Sequence, residues 1–373
     1  MLEYHYGDID TPETNEYDLL SFDFDDTLVP NGVTNTTYCI PPQIVFNRIR
    51  EYVRSRTHAV AMCIFSNQYS LGKKKITLAE VTARFTEFEA ALRKANTGVM
   101  SLYIYFAPEK NKYRKPFTGM YQQFILEIGR EPVSKLYVGD AAGRESVTYT
   151  DFLGKRGKTS KDFACTDYHF ARNCGMDFET PESFFLSMHT EGTYCKGHLP
   201  PPVILDNTYS EVIAELSVLL RTPGEKKAVI LLIGQQGVGK STFSSQFTGL
   251  ATSFSLDDYT TFPRMRNAVL ACNDNIIIDN TNPCVVSRAR FLSLFKVTHN
   301  CWCVDFSSVP DNTANHARMM RIASGGKYIP EIAVRMFKTK YTPPTLAEGF
   351  TKIFKVSSVD IADSPYYNYE YII

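Results

Sequence analysis

The chain has 373 residues, 40 basic against 40 acidic side chains and 44% hydrophobic residues, which points to two globular domains with no overall attraction for a polyanion. No apolar run is long enough to span a membrane, and the acidic opening MLEYHYGDIDTPETNEYD has no apolar core of a secretory signal. Nine scattered cysteines, an odd number, fit a reducing compartment better than a disulfide framework, so an intracellular protein is expected.

Residues 1–16 are polar and read as a poorly ordered lead-in. Residues 17–22 read as a strand ending in Asp23-Phe-Asp-Asp-Thr-Leu28. Asp23 and Asp25, two apart on an extended segment, face the same side. Two carboxylates there repel unless a divalent cation joins them or one keeps its proton. That is workable phosphatase chemistry: Asp23 attacks phosphorus, Mg²⁺ at Asp23 and Asp25 neutralises the phosphate, and Asp25 protonates the leaving hydroxyl. For the motif alone, an acidic loop or helix cap is the plainer alternative.

Residues 59–65 read as a second buried strand, ending in Ser66-Asn67-Gln68. The Ser66 hydroxyl can bond a phosphate oxygen, with Asn67 beside it as a substrate contact. Residues 102–106 form a third strand pattern, followed by the basic run Lys110-Asn-Lys-Tyr-Arg-Lys115. Lys115 can hold the phosphate and offset the charge around Asp23. A fourth strand ends in Asp140, the natural additional metal ligand. Helical patterns over 43–54, 77–96 and 117–129 fill the gaps. Strand and helix alternate, and the reactive residues sit at strand carboxyl ends, as in a doubly wound parallel sheet. Basic runs such as 110–115 and 154–161 are usually solvated loops, but beside these motifs they read as nucleic-acid contacts.

Periodicity stops after about residue 188, and Pro200-Pro-Pro202 favours a stiff connector. The expected organisation is a lead-in over 1–16, a first domain over 17–189, a linker over 190–224 and a second domain over 225–373, with a helical segment at 210–221 inside the linker. The second domain opens on six apolar residues, a buried strand, then Gly234-Gln-Gln-Gly-Val-Gly-Lys-Ser241. That string is a full G-x-x-x-x-G-K-[ST] match between strand and helix. Gly234, Gly237 and Gly239 let backbone N–H groups turn onto phosphate oxygens. Lys240 reaches the β/γ-phosphates, Ser241 completes a Mg²⁺ shell, and Thr242 follows beside the nucleotide. The chain therefore binds a nucleoside triphosphate, with ATP expected.

Strand patterns at 252–256 and 275–279 end in Asp257 and Asp279. Asp257 stands where a kinase keeps the base for an attacking hydroxyl. Asp279 orients either the metal shell or an acceptor-side group. Residues 301–307 read as a further strand, whose Cys301-Trp-Cys303 lacks the second pair a metal site needs. The helix over 311–321 carries Arg318 as a lid arginine, while Arg321 reads as solvent-facing.

The set Asp-x-Asp-x-Thr, Ser-Asn-Gln, Lys115-Pro-Phe-Thr-Gly-Met120 and Val138-Gly-Asp-Ala-Ala-Gly-Arg144 resembles the haloacid-dehalogenase superfamily. Within it, the set resembles the 3′-phosphatase domain of polynucleotide kinase/3′-phosphatases, as do Lys161-Asp-Phe-Ala-Cys-Thr-Asp167 and Thr180-Pro-Glu-Ser-Phe-Phe185. In the second half, the glycine-rich loop, Ile278-Asp-Asn-Thr-Asn-Pro283, Ser287-Arg-Ala-Arg290 and Pro344-Thr-Leu-Ala-Glu-Gly-Phe350 resemble the 5′-kinase domain of the same family. The resemblance covers roughly 18–356 and implies the animal-type order, phosphatase then kinase, without room for a forkhead-associated module.

Carried over, it implies that Asp23 is nucleophile, Asp25 acid/base, Ser66 and Lys115 phosphate contacts and Asp140 a Mg²⁺ ligand, with Arg144 near the substrate backbone. Asp162 matches a family aspartate, with salt bridging and helix capping both open. It also implies Asp257 as general base, Lys240 and Ser241 at the phosphates and metal, Arg318 as the lid arginine and Arg264 on the acceptor side. This sequence departs from the pattern at Asp26, where the wider superfamily usually has Gly. It departs again at Leu256 and Thr260, where relatives can present basic residues.

The expected fold class is α/β, with two doubly wound parallel-sheet domains, haloacid-dehalogenase-like then P-loop kinase. The expected function is healing of DNA or RNA ends: removal of a 3′-phosphate and ATP-dependent phosphorylation of a 5′-hydroxyl. A monomer, a ligase or repair-scaffold partner and a nuclear or other DNA-containing compartment go with that reading. A sugar kinase/phosphatase pair would act on sugar phosphates instead. An inactive end-binding scaffold would have lost some of Asp23, Asp25, Lys240, Ser241 and Asp257, all of which are present.

Overall fold

The computed structural model describes residues 2–6, 16–30, 40–146, 148–150, 156–158, 161–188, 194, 207–222, 224–359, 361 and 364–370. The chain divides into two compact units, one built on Met1–Pro200 and the other on Pro201–Ile322 with Lys327–Asn368.

The first unit runs β1 (Leu2–Tyr6), β2 (Tyr17–Phe22), α1 (Pro42–Arg54), β3 (Ala59–Ser66), the single turn α2 (Tyr69–Gly72), α3 (Leu78–Ala95) and β4 (Ser101–Phe106). It continues through α4 (Gly119–Ile128), β5 (Ser134–Val138), the small antiparallel pair β6 (Thr148–Thr150) and β7 (Arg156–Lys158), α5 (Thr166–Asn173), β8 (Asp177–Glu179) and α6 (Pro181–Leu186). Six strands form one sheet in the order β1-β4-β3-β2-β5-β8, parallel except for β1.

The apolar runs of β2 and β3 follow from burial on both faces. Successive side chains alternate between two cores. Leu20, Phe22, Met62, Ile64 and Ile104 pack with Val45 and Ile49 of α1 and Phe85 of α3. Leu19, Cys63, Phe65, Tyr105 and Tyr137 pack with Phe124 of α4 and Phe170 of α5. Helix α3 starts at a Thr77/Glu80 capping box and stops at Asn96, which adopts the left-handed conformation.

Residues 2–6 correct the expectation of an unstructured lead-in. They pair antiparallel with β4, Tyr4 opposite Ile104, so β4 is not left as a bare edge. That pairing partner lies about a hundred positions downstream, where no local pattern could reveal it.

The second unit runs α7 (Thr208–Arg221), β9 (Ala228–Ile233), α8 (Lys240–Ser245), β10 (Thr252–Phe254), α9 (Phe262–Ala271), β11 (Ile276–Ile278), α10 (Val285–Phe295), β12 (Asn300–Asp305), α11 (Asp311–Ala323), α12 (Glu331–Lys340) and β13 (Lys352–Lys355). Its five strands are all parallel, in the order β10-β11-β9-β12-β13. Ile230, Leu232 and Val304 face one core with Phe243, and Val229, Leu231 and Ile278 face the other with Val269 and Phe291.

Helix α7 corrects a second expectation, since the sequence reading leaves it in the linker. Tyr209, Val212 and Leu216 are buried against Ala228, Phe243 and Trp302, so the helix is part of the second core. Pro200–Pro202 and half of the basic run 154–161 lie outside the described residues.

In each sheet the strand order reverses at the central strand, β2 or β9, which opens a crevice at that strand's carboxyl end. Cys63, Cys174, Cys272, Cys284, Cys301 and Cys303 are free thiols. Cys165 is disulfide-bonded, a departure from the expected reduced set. Among the described residues, no helix is long and apolar enough to cross a membrane.

Candidate active sites

At the carboxyl end of β2 the chain turns sharply. Leu28 N–H and Val29 N–H both donate to Phe24 O, and Asp26 N–H donates to Val29 O. Asp26 sits at φ +60°, the left-handed region that favours glycine and that Asp tolerates better than most residues. The turn delivers Asp23 into a buried cluster: Lys115 Nζ donates to Asp23 Oδ1 and to Asp167 Oδ1, both at 2.6 Å, and to the Tyr137 hydroxyl at 2.8 Å.

Asp23, Asp140 and Asp167 each present an oxygen within 4.8 Å of the others. Burial pushes Asp23 up to about 7, against the pull of Lys115 and with Asp167 adding to the rise. Asp140 is raised well above the usual carboxylate range, by burial first and then by Asp167 and Asp23. Burial also opposes the Lys115 charge, but Asp167 and Asp23 outweigh it and raise that pKa. One ammonium does not balance three carboxylates, two of them buried and Asp140 half-buried. An all-oxygen set with excess negative charge fits a hard divalent cation.

The sequence reading does not place Asp167 in the site, although that residue closes the motif Lys161-Asp-Phe-Ala-Cys-Thr-Asp167. Its carboxylate also accepts from Ala141 N–H at 3.0 Å, which ties the start of α5 to the loop after β5. The Asp25 carboxylate is not in the cluster, contrary to its expected metal role. Arg84 Nη2 donates to its Oδ1 at 2.6 Å and Gln68 Nε2 to its Oδ2 at 2.7 Å. Gln68 also donates to the buried Ser66 Oγ at 2.8 Å, so it links the residue expected to contact phosphate with the expected acid.

Two other expectations change. Asn67 spends both ends of its amide on the Lys115 backbone: Oδ1 accepts from Lys115 N–H at 2.9 Å and Nδ2 donates to Lys115 O at 3.2 Å. It fixes the loop that carries Lys115 instead of facing a substrate. Arg144 is buried and engaged on all sides, with bonds to Asp162, Glu182 and Asp140 O. It buttresses the loop bearing Asp140 and does not reach outward to a strand. Asp162, paired with Arg144, also accepts from Ala142 N–H and Arg144 N–H.

In the second unit, Gly237 at φ +76° and Gly239 at φ +96° make the bend of the glycine-rich loop. A Cβ on Gly237 would lie 2.3 Å from Arg318 Cγ, and one on Gly234 2.9 Å from Phe306 Cβ. Lys240 is buried, with Nζ donating to Gly234 O at 2.8 Å and Gln235 O at 2.7 Å. Burial pulls its pKa down to about 8, with Asp279 opposing and Arg321 adding to the fall.

A cleft of about 390 Å³ opens beside the loop, lined by Gly237, Lys240, Ser241, Asp257 and Asp279 together with Arg290 and Arg321. Arg318 lies on α11 and donates to Gln235 Oε1 at 3.2 Å and Asn315 Oδ1 at 3.1 Å. Arg321, read as merely solvent-facing, borders the cleft. Arg264 and Thr242 are not among its lining residues; the Arg264 Nη1 donates to Thr260 Oγ1 at 2.9 Å. Helix α9 begins at Phe262, which places Arg264 on its exposed first turn, while Arg290 of α10 reaches the cleft over the Phe262 ring. The arginine in Ser287-Arg-Ala-Arg290 was the available signal.

Residues 18–185 match the protein family described as Polynucleotide kinase 3 phosphatase. The chain is similar to the "Bifunctional polynucleotide phosphatase/kinase" of Schizosaccharomyces pombe, 29% identical over 308 residues that cover 79% of this chain and 68% of the relative. It is also similar to the "Putative bifunctional polynucleotide phosphatase/kinase" of Acanthamoeba polyphaga mimivirus, 28% identical over 363 residues, 90% of this chain and 84% of the relative. Among solved structures, a D,D-heptose 1.7-bisphosphate phosphatase from B. bronchiseptica aligns with 34% of this chain and 71% of its own, at 19% identity and a TM-score of 0.28.

Proposed function

We propose that this chain, whose residues 18–185 match the family described as Polynucleotide kinase 3 phosphatase, heals polynucleotide ends at two separate sites. One removes a 3′-phosphate and the other phosphorylates a 5′-hydroxyl from ATP. The observation that carries this is the pairing, on one chain, of a lysine-bridged carboxylate cluster at the end of β2 with a phosphate loop and cleft at the end of β9.

At the first site Lys115 engages Asp23 Oδ1 and leaves the other oxygen to attack phosphorus, forming an aspartyl phosphate as the 3′-oxygen departs. Asp25 supplies the proton to that oxygen and later takes one from the water that hydrolyses the intermediate. Lys115 and Ser66 face the non-bridging phosphate oxygens. Asp23, Asp140 and Asp167 would hold a divalent cation, with Mg²⁺ the expected ion, which would supply charge neutralisation at the phosphate.

At the second site Gly234, Gly237 and Gly239 shape the loop around the triphosphate, and Lys240 leaves Gly234 O and Gln235 O for the β/γ-phosphates. Ser241 and Asp279 serve the metal that accompanies ATP, Asp257 accepts the proton of the attacking 5′-hydroxyl, and Arg318 steadies the transferring group. Arg290 and Arg321 give the cleft positive charge for the acceptor strand.

The test is an end-group assay on matched DNA and RNA oligonucleotides with Mg²⁺ and ATP. Asp23→Ala is expected to abolish 3′-phosphate removal and spare 5′ phosphorylation, and Lys240→Ala to do the reverse. A Lys240→Ala protein that phosphorylates ends at the wild-type rate would refute the second site.

A further inference from the structure

Helix α3 reaches the first site through one charged side chain. Arg84 Nη2 donates to Asp25 Oδ1 at 2.6 Å and lies 3.5 Å from Pro30 O, while the guanidinium carbon is 5.2 Å from the Phe24 ring centroid. The next residue, Phe85, is fully buried, and its ring centroid lies 4.5 Å from that of Phe24. The helix is therefore keyed to the turn after β2 at two successive positions, one charged and one apolar. On the other side of Asp25, Gln68 Nε2 donates both to Asp25 Oδ2 and to Ser66 Oγ, at 2.7 and 2.8 Å. Oδ2 thus lies on the side of Ser66, and Oδ1 on the side of α3.

The Arg84 and Asp25 side chains are both partly exposed, and an ion pair in that setting contributes little to stability. Its consequence is orientation. An untethered aspartate turns about its side-chain torsions, and either oxygen can face a substrate. With Oδ1 taken by Arg84, Oδ2 is the oxygen turned toward the phosphate that Ser66 contacts. A proton donor acts only within hydrogen-bond reach of the atom it protonates, and a small misplacement removes much of its effect.

We propose that Arg84 is a positioning residue for 3′-phosphate removal, acting through Asp25. It turns that carboxyl so that Oδ2 delivers a proton to the 3′-oxygen as the phosphorus–oxygen bond breaks and Asp23 bonds to phosphorus. The same placement lets Oδ2 take the proton of the water that then hydrolyses the aspartyl phosphate. A leaving group that needs no proton is indifferent to Arg84. This rests on the 3′-phosphatase reading above.

The experiment measures kcat/KM with Mg²⁺ for a 3′-phosphorylated oligonucleotide and for p-nitrophenyl phosphate in the same preparations. This ratio reports the steps up to departure of the leaving group, before the shared hydrolysis of the intermediate. The 3′-oxygen is a poor leaving group until protonated, whereas p-nitrophenolate departs unaided. Arg84→Met keeps an apolar stem against Phe24 and removes the guanidinium. It is expected to lower kcat/KM for the oligonucleotide about thirtyfold, a part of the roughly 10²–10⁴-fold that a positioned acid supplies. For p-nitrophenyl phosphate the wild-type value is expected. Arg84→Lys, whose single ammonium can still meet Asp25 Oδ1, recovers most of the loss. Lys94→Ala, on the exposed end of α3, changes neither substrate.

An Arg84→Met protein with the wild-type kcat/KM on the oligonucleotide overturns the positioning role and leaves the 3′-phosphatase reading intact. An equal fall on both substrates overturns it too, because a damaged fold or a merely structural side chain does not distinguish leaving groups. Wild-type protein that hydrolyses p-nitrophenyl phosphate but no 3′-phosphorylated strand overturns the 3′-phosphatase reading, and the positioning role with it.

Discussion

Lys240 sits curled onto its own loop, and burial brings its pKa down to about 8. It is protonated below that value and increasingly neutral above it, whereas a bound triphosphate demands the charged form. Nucleotide affinity is therefore expected to fall as pH rises through about 8, with proton uptake on binding near and above it, readable by calorimetry in buffers of different ionisation heat. Arg144 gives a second residue-scale prediction. Its replacement by Ala leaves Asp162 and Glu182 buried without a counter-charge. A loss of about 3–5 kcal/mol is expected, measured as a lower unfolding midpoint with the phosphatase lost first. Among the thiols, Cys284 at the head of α10 has its pKa lowered by hydrogen bonds from Ser287, while burial holds those of Cys63 and Cys174 well up. Mass spectrometry after brief alkylation at neutral pH is expected to find Cys284 modified well before Cys63 or Cys174. The sequence named Asp23, Lys115 and Asp140 because each follows a strand pattern. It could not show Asp167 joining them or Asp25 turning to Arg84, since those contacts join residues 52 and 59 positions apart.

The glycine-rich loop between β9 and α8 depends on backbone angles that side chains resist. Gly237→Ala would place a Cβ 2.3 Å from Arg318 Cγ at φ +76°, adding roughly 1–2 kcal/mol of backbone strain and displacing the arginine. Kinase activity is expected to collapse while 3′-phosphate removal in the same preparation stays unchanged. Helix α10 and the turn Leu346–Glu348 are joined by Arg288, fully buried, whose Nε and Nη2 donate to Glu348 at 2.7 and 2.8 Å. The same guanidinium reaches Thr342 O. Ser287-Arg-Ala-Arg290 and the segment 344–350 were recognisable as motifs from their spelling. Their physical role, one ion pair holding two segments together, needed coordinates. Strand positions were legible from apolar runs and helix α3 from its caps. The reach of Arg264 was not, because the start of α9 at Phe262 decides which way that side chain leaves the helix.

Each unit has its own pair of cores on the two faces of its own sheet, so the two activities are expected to be separable by single substitutions. The sequence by itself determined the α/β class, the alternation of strand and helix and the placing of reactive residues after β2, β3, β5, β9 and β11. These follow from short-range periodicity, from glycine at loop bends and from runs too apolar for a half-exposed strand. Only the tertiary structure decided that residues 2–6 close the edge of the first sheet and that α7 belongs to the second core. It alone decided that Arg144 is an internal brace and that the lysine bridge joins Asp23 to Asp167. The reason is common to all four. Each depends on which distant segment supplies a backbone partner, an apolar face or a counter-charge, and a chain written in one dimension does not record that neighbour.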